Sequence, residues 1–205
     1  EYILEKTNYY GYSGDRVKGL IFCSRKDEAK ELSRKFNERG YRTVFLCGEH
    51  SQEERESCIE RLTADNCCDY LDYIFTIDIF NEGVDIPEIN QVIMLRPTES
   101  PAVFIQQLGR GLRKADGKKY VVILDFIGNY MNNFMISVEL SGDRSYIKDN
   151  MRKYVVGGTR IIPGSSSIHF DEIARKRIYA SIDLSKTNDL KLIRDSYKNL
   201  KYKLG

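Results

Sequence analysis

The sequence is poor in the features that would settle its class at once. Its 205 residues hold no apolar run near the ~20 residues that a membrane-spanning helix needs. The five cysteines, Cys23, Cys47, Cys58, Cys67 and Cys68, form no C-x-x-C pair, and the two histidines, His50 and His169, are far apart. A zinc site needs about four convergent nitrogen or sulfur ligands, so no metal site is expected. An odd count of irregularly spaced cysteines reads as reduced thiols in the cytoplasm. Charge of one sign is also missing, with 32 Lys+Arg against 30 Asp+Glu. That balance excludes a wholly basic nucleic-acid binder but not a local basic stripe. No internal repeat, low-complexity tract or G-x-x-x-x-G-K-[ST] phosphate loop occurs. The chain opens on Glu1 without a charged-then-apolar leader, and reads as a piece of a longer protein.

What is present is an alternation of short apolar runs with amphipathic ones. Val17–Cys23, Tyr41–Cys47, Tyr70–Ile77, Gln91–Leu95 and Lys119–Phe126 read as strands. Between the first two, Ser24 with Asp27 has the spacing of a capping box, Ala29, Leu32 and Phe36 share one helical face, and Gly40 supplies a stop. Ser51 with Glu54 repeats the cap ahead of a helix expected to bury Cys58, Ile59 and Leu62. Ser100-Pro101 opens a further helix, AVFIQQLGRGLRK. Strands alternating with helices of this length predict an α/β domain with a mostly parallel sheet. After Gly128 the alternation stops. Asn129–Leu140, Ser145–Val156, about Asp171–Ala180 and about Asn188–Tyr202 read as helices, with a turn-rich connector over 161–167. The expected organisation is an α/β domain over 1–128 and an α-helical extension over 129–205 that begins a further domain.

Four stretches carry chemistry. In Gln106-Gln107-Leu108-Gly109-Arg110-Gly111-Leu112-Arg113, the two arginines are three apart and share a helix face, where paired guanidiniums receive phosphate oxygens. Alone, such a pair is an ordinary solvated basic face. Thr76-Ile77-Asp78-Ile79-Phe80-Asn81-Glu82-Gly83-Val84-Asp85-Ile86-Pro87 begins at a strand's C-terminal end, where open α/β sheets place their ligands. Ser24-Arg25 and Gly48 follow two other strands in the same way. Asp171-Glu172 opens a helix, where two acids suit the dipole, and is read as structural. Lys148, Arg152, Lys153, Arg160, Arg175, Lys176 and Arg177, interleaved with Tyr146 and Tyr154, suit either a DNA contact or a solvated helix surface.

The order of IFCSR, TIDIFNEGVDIP and QQLGRGLR resembles motifs IV, V and VI of the C-terminal RecA-like lobe of a superfamily 2 helicase. The later stretch resembles bacterial DEAD/DEAH-type, restriction-enzyme-like helicases with an uncharacterised domain after the motor. The resemblance implies an ATP-dependent helicase or translocase, with the fragment inactive by itself. It implies that Arg110 and Arg113 are arginine fingers reaching the γ-phosphate of ATP, with Gln106 at the same cleft orienting nucleotide or water. Gly83 and Asp85 would touch the ribose or couple the cleft to DNA. Ser24, Arg25, Gly48 and Thr76 would hold the nucleic-acid backbone. The implied partners are single- or double-stranded DNA and an N-terminal RecA-like lobe of the same chain, which would hold ATP and its Mg2+. No membrane is implied. Two other readings stay open: a non-catalytic RecA-like binding module, and the translocating subunit of a restriction or phage-defence nuclease.

Overall fold

A computed structural model describes residues 1–65, 68–77, 79, 86–96, 113–126, 147–157 and 167–184. Residues 101–112 of the expected helix around QQLGRGLR, the expected helices at 129–140 and 188–202, the connector up to residue 166, and Cys67 lie outside the described residues.

Five parallel strands, β1 (Gly19–Phe22), β2 (Thr43–Leu46), β3 (Tyr73–Thr76), β4 (Gln91–Met94) and β5 (Val122–Asp125), form a sheet of order β2-β3-β1-β4-β5. The three inner strands are buried at all four positions, whereas β2 and β5, at the two ends of this order, are only partly covered. That difference is why the inner strands read as unbroken apolar runs: each has both faces in the core. Helices α1 (Tyr2–Tyr10), α2 (Lys26–Asn37) and α3 (Gln52–Thr63) complete this unit.

One face of the sheet carries Ile21, Phe75, Ile93 and Leu124, packed with Ala29 and Phe36 of α2 and with Ile3 and Leu4 of α1. The Phe36 ring meets Phe75 and Tyr73 edge-on at centroid distances of 5.1 and 5.7 Å. The stop expected at Gly40 is a Schellman closure. Gly40 N–H donates to Asn37 O at 3.0 Å and Tyr41 N–H to Phe36 O at 3.2 Å. Gly40 sits at φ +88°, where a side chain would be strained, and the Tyr41 ring returns onto Phe36. Gly19 is required for another reason: a Cβ there would meet the Tyr73 ring at 2.2 Å.

At the strands' N-terminal ends several buried polar side chains pair with one another and with backbone carbonyls, while Arg16 Nε stays unpartnered. Tyr73 OH donates to Gln91 Oε1 at 2.7 Å, and Gln91 Nε2 donates to Gly11 O at 2.8 Å, tying α1 to the sheet. Asn90 accepts from Lys18 N–H and donates to Ser13 O and Arg16 O. Arg16 and Lys18 reach the last carbonyls of α3, at Leu62 O and Thr63 O, where cations suit the helix dipole.

Three local expectations need correction. Helix α2 starts at Lys26 with Arg25 as its N-cap and no side-chain cap bond, so Ser24 is not the cap. The β1 ladder runs on through Cys23 N–H to Thr76 O, which keeps the chain extended past Ser24 before it turns. In α3 only Leu62 is fully buried, while Cys58 and Ile59 are half-buried. Helix α1 has no counterpart among the elements that the sequence pattern predicts.

The chain divides into two compact units after Phe126. In the second unit, α4 (Lys148–Gly157) and α5 (Glu172–Leu184) pack through Met151, Val155, Ile178 and Ile182. Asp171 caps α5 by accepting from Ala174 N–H at 2.7 Å. Arg152 pairs with Asp149 and Asp183, and Lys176 with Glu172. Among the described residues no helix is long and apolar enough to cross a membrane.

Candidate functional site

The strand order decides what meets at the C-terminal edge. Leu46, Thr76 and Phe22 stand opposite one another as the last residues of β2, β3 and β1. With neighbouring strands about 4.8 Å apart, the exits carrying Gly48, Ile77 and Ser24-Arg25 lie side by side. Three segments that lie far apart in sequence, at Ser24-Arg25, Gly48 and Ile77, therefore share one edge.

At the β1 exit, Cys23 is fully buried, and burial pushes its thiol up to about 12. Ser24 and Arg25 beyond it are exposed. At the β2 exit, His50 Nδ1 accepts from Cys47 N–H at 3.1 Å, and Gly48 O accepts from an Arg55 guanidinium N–H at 2.9 Å. Gly48 is exposed, and a Cβ added there would meet nothing within 4 Å, so the protein's own packing does not demand glycine. The capping box follows as expected, with Glu54 N–H donating to Ser51 Oγ and Ser51 N–H to Glu54 Oε2.

Thr76 differs from its expected setting. It is fully buried at the end of β3, and its hydroxyl has no hydrogen-bond partner. The cause is position: β3 is flanked on both sides, and its last residue is still inside the sheet. Arg113 is exposed in the segment leading back to β5. Gly83, Asp85, Gln106 and Arg110 lie outside the described residues. Among the described residues no group of three or more His, Cys, Asp or Glu is placed to hold a metal ion.

Sequence reasoning missed three features of this edge. Lys26 Nζ forms an ion pair with Glu49 Oε1, joining the β1 and β2 exits. The mutual stabilisation raises the lysine and lowers the carboxyl. Arg55 braces the Gly48 loop, and its place one turn into α3 gave no periodicity signal. Asp125 ends β5, opposite Met94, and burial raises its carboxyl to about 7. Its only sequence signal was a lone acid closing an apolar strand.

Residues 4–115 match the family of the helicase conserved C-terminal domain. The putative ATP-dependent helicase IRC3 of Saccharomyces cerevisiae is 31% identical over 126 residues, 62% of this chain and 18% of that protein. ATP-dependent RNA helicase SrmB of Haemophilus influenzae is 28% identical over 103 residues, 50% of this chain and 22% of that protein. The chain thus spans less than a quarter of the length of these relatives. Among solved structures, the C-terminal domain of the DEAD-box protein Dbp5 gives a TM-score of 0.52 at 24% identity, covering 69% of this chain and 76% of that one. The yeast DEAD-box splicing factor Prp28 gives 0.61 at 20% identity, covering 92% and 36%. These likenesses establish a shared fold.

Proposed function

The chain belongs to the helicase conserved C-terminal domain family, as the C-terminal RecA-like lobe of a superfamily 2 helicase, and on that premise we propose that it is the second motor lobe of an ATP-dependent DNA helicase or translocase. In this reading ATP and its Mg2+ sit on an N-terminal RecA-like lobe of the same protein. Arg110 and Arg113 reach across to the γ-phosphate, and Gln106 orients the nucleotide or attacking water. Phosphoryl transfer needs positioning and charge neutralisation more than covalent chemistry, so arginines delivered only on closure make turnover depend on closure. Gly83 and Asp85 link that cleft to the nucleic acid.

Ser24, Arg25 and Gly48 grip the backbone through a hydroxyl, a guanidinium and exposed amides, contacts that position a strand without reading its sequence. The observation that carries this is the adjacency of the β2, β3 and β1 exits on one edge. Open space over Gly48 supports it, because a glycine that packing does not demand leaves room for a ligand. Thr76, at the buried end of β3, takes part in that grip in this reading through its unpartnered hydroxyl. The break after Phe126 supports residues 1–128 as the motor lobe and 129–205 as an α-helical extension opening a further domain. The protein works in the cytoplasm in this account.

The test is ATP turnover by the intact protein with single-stranded DNA, duplex DNA or RNA added. Stimulation by DNA is expected. Stimulation by RNA alone contradicts the choice of DNA, and no stimulation by any of the three contradicts the motor reading.

A further inference from the structure

Strands β1 and β2 are not neighbours, since β3 lies between them. Their exits are nevertheless joined across the end of β3 by the Lys26–Glu49 ion pair, over a gap of two strand spacings, about 10 Å. Lys26 is the first residue of α2, next to the exposed Ser24 and Arg25, and Glu49 follows the exposed Gly48. The lysine and glutamate side chains are 47% and 75% exposed, so both can turn without disturbing the core. Among the described residues the other Glu49 oxygen receives only a weak contact, from Cys47 Sγ at 3.8 Å. Lys30 adds positive potential to the same carboxylate while its ammonium lies over the Phe45 ring at 5.7 Å.

A carboxylate on an edge that is to receive phosphates is unfavourable there unless it has a use. We propose that Lys26 is a further phosphate-contacting residue of this edge and that Glu49 governs its availability, holding the ammonium until a backbone phosphate takes the carboxylate's place. The proposal rests on reading the edge as a nucleic-acid interface. An exposed ion pair is worth no more than about a fivefold shift in a binding constant, so phosphate can displace the carboxylate. Pairing of the freed ammonium with a phosphate also releases a condensed counterion. Glu49 therefore tunes affinity and its salt dependence without blocking binding.

The experiment measures binding of a labelled oligothymidine of about 16 nucleotides by the 205-residue chain. The protein is unmodified or carries Lys26→Gln, Glu49→Gln or both, and salt runs from about 50 to 200 mM. Lys26→Gln is expected to weaken binding and flatten the log–log salt slope by about 0.7. Glu49→Gln is expected to tighten binding about two- to fivefold, and to have no effect when Lys26 is already Gln. Equal tightening in both backgrounds overturns the proposal, because the increase would then come from lost negative charge alone. So does an unchanged slope in Lys26→Gln. If the unmodified chain shows no salt-dependent binding, the interface reading itself fails, and this proposal with it.

Discussion

Asp125 carries an energetic burden that its position explains. Burial disfavours its charged form and pushes the folded carboxyl up to about 7. The folded state therefore holds a proton that the unfolded chain has released between about pH 4 and 7, so stability falls as pH rises through that window. Asp125→Asn should flatten this dependence. The variant should match the unmodified chain near pH 4 and exceed it at pH 8 by roughly 2–4 kcal/mol. Urea unfolding at the two pH values reads the difference, and parallel pH profiles would contradict the burial argument. A group with such a shift at a strand's C-terminal end is also where functional carboxylates are found. Burial acts in the same direction on Cys23, holding its thiol protonated and inert behind exposed Ser24 and Arg25.

Among the elements, α3 shows how a local signal sets a functional loop. Its capping box sets the N-cap at Ser51, just after Gly48, and Arg55 one turn later holds the Gly48 carbonyl. Ser51→Ala should cost about 1 kcal/mol of stability, read as a lower urea midpoint with an unchanged slope, and Ser51→Asp should restore it. No loss on Ser51→Ala would mean that packing at Leu62 alone holds the helix. The five strands and four of the five described helices were legible, because buried parallel strands demand apolar runs, Ser51–Glu54 and Gly40 are strong boundary signals, and α4 and α5 carry apolar faces at helical spacing. Ser24 misled because its spacing to Asp27 resembles a cap, whereas the ladder bond at Cys23 delays the turn by one residue. Helix α1 was missed because it buries only Thr7 fully, and its anchor is Gln91 Nε2, 80 positions away in sequence at Gly11 O.

For the whole molecule, the strand order could not be read from local pattern. It places the β2, β3 and β1 exits together, and that adjacency makes Ser24, Arg25 and Gly48 one surface. The Lys26–Glu49 pair is invisible in sequence for the same reason, since 23 positions separate partners that only the order brings together. The family match extends from residue 4 to 115, covering this sheet edge and the QQLGRGLR stretch. In the proposed reading this lobe completes an ATP site held by another lobe. The decisive measurement is nucleic-acid-stimulated ATP turnover in the intact protein carrying Arg110→Ala or Arg113→Ala. Turnover should fall on the order of 10³-fold or more with nucleic-acid affinity nearly unchanged, and turnover equal to that of the unmodified protein would rule out the arginines' role at the γ-phosphate.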